Sequence, residues 1–158
     1  MRGDVALDAI REVPCAVASA PAGYAATAPH QPRRIAVGWD ASPEADEALE
    51  WAVQLAERTA GEVRILHVGD LPGDGTRLEA VCRAAADRVP ATSQRLEGEP
   101  QAALSKVEDA DLLVLGSRGR SPLRRVLGGS VSADVVHHAR CPVVVLPRGV
   151  QAPVETTA

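Results

Sequence analysis

Aromatic side chains are nearly absent: they are 2% of 158 residues, present as Trp39, Trp51 and Tyr24 with no phenylalanine. The core must therefore be aliphatic, and stacking platforms for single-stranded nucleic acid are excluded. A pI near 5.6 and a formal net charge of -4 also argue against a general nucleic-acid partner. Cysteine is scarce. Cys15, Cys82 and Cys141 are widely spaced, with no Cys-x-x-Cys pair and no Cys/His cluster. That pattern fits neither a zinc site nor a disulfide framework, so no metal is expected and the thiols should be reduced. No apolar run approaches the roughly 20 residues needed to span a bilayer. The first residues, with Asp4, Asp8 and Glu12, do not read as a signal peptide. The expectation is a soluble, cytoplasmic protein without a membrane partner.

One more absence is local. No Asp or Glu occurs from Leu112 to Ala133, while Arg118, Arg120, Arg124 and Arg125 do. In an acidic chain, this gap marks a positive field suited to a polyphosphate. The same stretch contains Gly116-Ser117-Arg118-Gly119, then nine residues, then Gly129-Ser130-Val131-Ser132. It follows the apolar run Leu112 to Leu115, which reads as a buried strand. It leads into a helix start with Ser130 or Ser132 as N-cap and Asp134 in the first turn. Strand, glycine-rich turn and helix N-terminus together aim backbone N–H groups at an anion.

Elsewhere the chain alternates strands and helices. Arg34 to Trp39 reads as strand one, followed by a helix capped by Ser42 with Pro43 at its first position and closed by Gly61. Strand two is Val63 to Val68, and Thr76 with Glu79 suggests a capping box for the next helix. Thr92 to Leu96 is a weak third strand, and Pro100 opens a third helix. Strand four is Leu112 to Leu115, a helix runs from about Val131 to His138, and strand five is Val143 to Leu146. Five strands alternating with four helices argue for an open, doubly wound α/β fold, a parallel sheet with helices on both faces.

The glycine spacing, G-x-x-G-x9-G-S, resembles the ATP-binding signature of the universal stress protein family. Ile35-Ala36-Val37-Gly38-Trp39-Asp40-Ala41-Ser42-Pro43-Glu44 is similar to that family's first strand and turn, and Cys141 to Pro147 to its last strand. The resemblance covers about Arg33 to Gly149. It implies a Rossmann-like, five-stranded parallel sheet of order 3-2-1-4-5, placing strands one and four side by side. Their carboxyl ends would form the crevice where open α/β sheets bind ligands.

The resemblance also implies ATP, with or without Mg2+, as the cofactor, and homodimerisation through strand five. It carries Gly116, Arg118, Gly119, Gly129, Ser130 and Val131 onto the triphosphate and sets the Val68 backbone against adenine. With Gly38, Asp40 and Ser42 at the strand-one turn, and Ser117 and Arg120 inside the motif, these are the candidate nucleotide-binding residues. Most members have glycine where this chain has Ala41. For Asp40, a simple turn-forming role competes with a nucleoside contact. His67 reads as packing, and His137 and His138 as solvent-facing charge at a helix C-terminus.

The leading functional expectation is a nucleotide-dependent regulatory protein of the stress response with a protein partner not identified by the sequence. No general base and no P-loop lysine is evident, so no catalytic residue is assigned and hydrolysis should be slow at most. Adenylyl-transfer enzymes carry a His-x-Gly-His type sequence after strand one, where this chain has Trp39-Asp40-Ala41-Ser42. The alternative is a nucleotide-independent dimerisation module of the same fold, which usually lacks the paired glycines.

Residues 3 to 23 align without a gap on 129 to 149, with seven identities. Gly3, Val5, Asp8, Cys15, Val17, Pro21 and Gly23 match Gly129, Val131, Asp134, Cys141, Val143, Pro147 and Gly149. Residues 1–32 are therefore expected to be an N-terminal extension. It would carry the last helix and strand of a preceding copy, with 25–33 as linker. The competing reading is a disordered Ala/Pro-rich leader. The domain proper is 33–149, and 150–158 is expected to be a disordered tail.

Overall fold

A computed structural model of the chain describes residues 15–26, 28, 29, 31–70, 75–117, 131–147 and 149. The expected tail at 150–158 and the helical part of the N-terminal match lie outside these residues. The elements are β1 (Val17–Ser19), β2 (Arg34–Gly38), α1 (Pro43–Thr59), β3 (Glu62–Val68) and α2 (Thr76–Ala86). They continue with β4 (Ala91–Leu96), α3 (Pro100–Ser105), β5 (Leu112–Ser117), α4 (Val131–His138) and β6 (Val143–Pro147). A single 3-10 turn, Tyr24–Ala26, follows β1.

The strands form one sheet in the order β1-β6-β5-β2-β3-β4. This corrects the five-stranded expectation: among the described residues the sheet has six strands, because β1, which precedes the expected domain, pairs antiparallel with β6. All other neighbours pair in parallel. The extra strand escapes a reading by local pattern because three residues are too few for alternation to register.

Strand residues alternate between two cores. Ile35, Val37, Val63, Ile65, Leu112 and Val114 pack with α1 and α2 on one face. Ala36, Leu66, Leu113, Leu115, Val143 and Val145 pack with Leu104 of α3 and Val135 of α4 on the other. Burial on both faces explains why β5 and β6 are unbroken aliphatic runs.

α1 begins as its sequence dictates. Ser42 has extended backbone and its hydroxyl accepts from the Ala45 N–H at 3.2 Å, with Pro43 next. Its end differs from expectation: Ala60 takes the left-handed conformation at φ +50°. Gly61 serves another purpose, since a Cβ there would lie 2.5 Å from the Arg33 carbonyl oxygen. α2 lacks the expected capping box. Its N-cap is Gly75 at φ +80°, with no side-chain cap bond.

The lower ends of the strands are tied by Asp111. One of its carboxylate oxygens accepts from the Arg33 and Arg34 N–H groups, both at 2.9 Å, and the other from the Arg34 guanidinium at 2.7 Å. Burial works to raise the Asp111 pKa, but the Arg34 side chain and the two N–H donors outweigh it and hold the carboxyl below its ordinary value.

Candidate functional site

The upper edge of the sheet is built around Gly116. It lies near the end of β5, beside Gly38 at the end of β2, since Gly38 pairs in register with Leu115. The chain leaves β2 through α1 on one face and β5 towards α4 on the other. The switch point expected of a doubly wound sheet therefore falls between these two strands.

The first turns of both helices reach Gly116. A Cβ at this position would run into the Glu44 carbonyl in the first turn of α1. From the other side, the Ser132 hydroxyl in the first turn of α4 donates to the Gly116 carbonyl at 3.3 Å. Two helix N-termini thus converge on one strand end, and each carries partial positive charge. The α1 end is offset by its own acids, Glu44 and Asp46. In α4, the first acid is Asp134. Gly38 is also a packing glycine: a Cβ there would lie 2.5 Å from Leu115 Cδ2.

The turn from β2 into α1 is braced by side chains that sequence reasoning did not connect. The Trp39 ring is buried and its Nε1–H donates to Asp46 at 2.8 Å. Arg77 of α2 lies over that ring, 5.7 Å from its centroid, and donates to the Ala41 carbonyl at 2.7 Å. His67 Nδ1 donates to the Trp39 carbonyl at 3.0 Å, which fixes the ring with the proton on that nitrogen. His67 is therefore more than packing: it pins the strand-two end to the turn. Only an adjacency of β2 and β3 could have revealed this, since 28 residues separate the pair.

Asp40 performs the turn-forming role weighed for it. Its Oδ1 accepts from the Ser42 N–H at 3.1 Å and from the Ser42 hydroxyl. Ala41, in place of the glycine usual in the resemblance, sits at φ +62°. Val68 ends β3 opposite Leu96, half-buried. Ser117 ends β5 opposite Pro147, and Val131 opens α4 as a residue 38% exposed. Gly38, Asp40, Ser42, Gly116, Ser117, Val68 and Val131 are thus all placed at strand or helix ends. Arg118, Gly119, Arg120, Gly129 and Ser130 lie outside the described residues.

Two cavities among the described residues sit elsewhere. One of about 190 Å³ lies between the exit of β1 and α4, and one of about 310 Å³ flanks β3 and β4 beside α3. Neither is lined by a candidate nucleotide residue.

A largely parallel sheet covered on both faces, with two helix N-termini over one strand end at a topological switch point, defines the class of open α/β proteins with an edge crevice. Within that class the chain belongs to the universal stress protein family, whose sequence profile matches residues 32–96 and 76–147. It is 29% identical over 140 residues to a universal stress protein of Methanocaldococcus jannaschii, covering 73% of this chain and 82% of that one. It is 30% identical over 162 aligned residues to one from Mycobacterium tuberculosis, covering 90% of this chain and 55% of the relative.

A solved universal stress protein from Archaeoglobus fulgidus is 33% identical with a TM-score of 0.63, covering 73% of this chain and 44% of that chain. Another, solved in complex with cAMP, is 27% identical with a TM-score of 0.58, covering 74% of this chain and 98% of that chain. The chain thus spans about half the length of the mycobacterial relative and less than half of the Archaeoglobus structure. No helix among the described residues is long and apolar enough to cross a membrane.

Proposed function

We propose that this chain is an adenine-nucleotide-dependent regulatory protein. It takes ATP at the upper edge of β2 and β5 and changes its protein contacts with nucleotide state. The observation that carries this reading is the convergence of the α1 and α4 first turns on Gly116. It lies where the acid-free, arginine-bearing stretch from Leu112 to Ala133 begins its glycine motif. The family relative solved with cAMP supports an adenine nucleotide as the ligand class.

The donor set fits a polyphosphate. Backbone N–H groups at the start of α4, the Ser130 hydroxyl and Arg118 would hold the phosphates, and the Val68 backbone would face the base. Bound ATP supplies charge and shape for a partner to read. Mg2+ would travel with the phosphates, since it keeps most of its water and takes its other ligands largely from phosphate oxygens. With no residue assigned as general base, turnover should stay well below the roughly 10 s⁻¹ median of dedicated enzymes.

The test is thermal and calorimetric. ATP at about 100 times its dissociation constant should stabilise the fold by about 2.7 kcal/mol. Gly129→Asp should abolish that gain by bulk and charge. An equal ATP-induced shift in the variant would show that the phosphates bind elsewhere. Ligand released from freshly purified protein, identified by mass spectrometry, separates ATP from cAMP. Stronger stabilisation by cAMP than by ATP would reassign the ligand.

A further inference from the structure

The repeat in the sequence and the strand pairing in the sheet are separate observations that meet at one residue pair. The alignment of 3–23 on 129–149 has a constant offset of 129 − 3 = 126, which carries Val17, Ala18 and Ser19 onto Val143, Val144 and Val145. In the sheet, Val17 lies opposite Val145, Ala18 opposite Val144 and Ser19 opposite Val143, antiparallel. Ala18 is therefore paired with its own sequence counterpart, at the middle of the matched strands. Counterparts also share a face: Val17 and Val143 both pack into the core beneath α3 and α4. A slip of one residue would have sent them to opposite faces. An element lying antiparallel to its own equivalent, centred on one pair, is an isologous contact about a local twofold axis.

Backbone geometry repeats as well. Gly23 and Gly149, which the same offset equates, have φ of +82° and +73°. They are the only described residues of the two matched segments with positive φ. Each follows by two residues a proline: Pro147 is the last residue of β6, and Pro21 lies two residues beyond β1. The extension is also fastened beyond the strand, because the Tyr24 hydroxyl donates to the Asp111 carbonyl at 3.4 Å.

We propose that β1 is the closing strand of a second copy of this domain's final unit. In this role it covers, within the chain, the β6 edge on which a second copy of this chain would otherwise dock. An uncovered strand edge is a template for pairing. The register selects the occupant: a surface that accepts the counterpart of its own strand about a twofold axis is self-complementary. The homodimer expected through the last strand then forms only when β1 leaves, and the intact chain is monomeric at this edge.

Three variants test this in the full chain, in a background carrying Cys15→Ser and Cys82→Ser. Directly opposed residues lie about 4.5–5.5 Å apart between Cα atoms, within reach of a disulfide. With oxidised glutathione as the oxidant, Ala18→Cys with Val144→Cys should therefore form an intramolecular bridge, seen as a monomer that has lost two titratable thiols. Failure to bridge would overturn the pairing without any demand on the fold.

Next, Val17→Asp with Ala18→Pro should expel β1, and light scattering should then show the mass doubled relative to the parent at equal concentration. Adding Val144→Cys to that release variant should link two copies through this position, because it lies on the axis. A folded release variant that stays monomeric overturns the proposal. So does a dimer that does not bridge at this position, or a parent that is already dimeric through β6.

Discussion

Ala41 shows how a single residue can preserve a turn that its own chemistry resists. Its φ of +62° lies in the left-handed region, which costs an alanine roughly 1–2 kcal/mol. The turn persists because Arg77 donates to the Ala41 carbonyl and Asp40 accepts from Ser42, so both neighbours of the strained peptide are held. Ala41→Gly relieves the strain but adds freedom to the unfolded chain, an opposing term of about 0.4–1 kcal/mol. The expected net gain lies between zero and about 1.6 kcal/mol, read as a rise in Tm of roughly 2–4 °C for each kcal/mol gained. A fall in Tm would mean that the turn carries no such strain. Gly116 is required for a different reason, the Glu44 carbonyl that leaves no room for a Cβ. Gly116→Ala should therefore lower stability by about 1–3 kcal/mol, the usual scale of overpacking, whether or not nucleotide is present. The two glycine questions look alike in the sequence, and only packing separates them.

At the scale of elements, helix α1 was legible because all of its signals are local. Ser42 and Pro43 stand before an apolar stripe, and the hydroxyl caps the Ala45 N–H. Ser42→Ala should cost about 1 kcal/mol, measured as a shift in urea midpoint. An unchanged midpoint would transfer the capping work to the Ser42 carbonyl, which also accepts from Ala45 and Asp46. α2 was located but its start was misread. Thr76 and Glu79 have capping-box spacing, yet Gly75 enters the helix from a left-handed conformation and the Glu79 N–H bonds its carbonyl at 3.2 Å. A glycine at φ > 0 can override a side-chain cap, and spacing alone does not show which prevails. β4 gave little signal because Thr92, Ser93, Gln94 and Arg95 are all exposed, so no alternation marks the strand. β1 became visible only through its likeness to the chain's own last strand. The brace of Trp39, His67, Asp46 and Arg77 was illegible for another reason: its members meet only after β2, β3 and α2 have assembled.

For the whole molecule, charge sets the limits of stability in pH. Among the described residues, four carboxyls sit below their ordinary values. In Asp109 and Glu57 the hydrogen bonds from Arg64 and Arg88 lead the shift. In Asp111 and Glu50 burial pushes upward first, and is outweighed by Arg34 with its neighbouring N–H groups and by Arg88 with Gln54. The folded state therefore favours the ionised form. Its contribution is complete above the unfolded carboxyl range near pH about 4, and is lost as pH falls through the lower folded values. Exposed pairs contribute little, so most of the effect belongs to Asp111, whose side chain is 11% exposed.

The alkaline limit has the opposite sign. Burial raises the Cys141 thiol to about 11, so the folded state keeps a proton that the unfolded chain releases above about pH 8.5. Stability from this group is complete below that value and is lost as pH rises towards the folded one. Urea midpoints should then be flat between about pH 5 and 8 and fall on both sides. Asp111→Asn should lower the plateau and flatten the acid limb, leaving the alkaline limb intact. Cys141→Ala should flatten only the alkaline limb. If Asp111→Asn left the acid limb as steep as in the parent, the clamp on Arg33 and Arg34 would not be what acid breaks. The surface pairs would then have to carry the loss, and it should disappear in high salt.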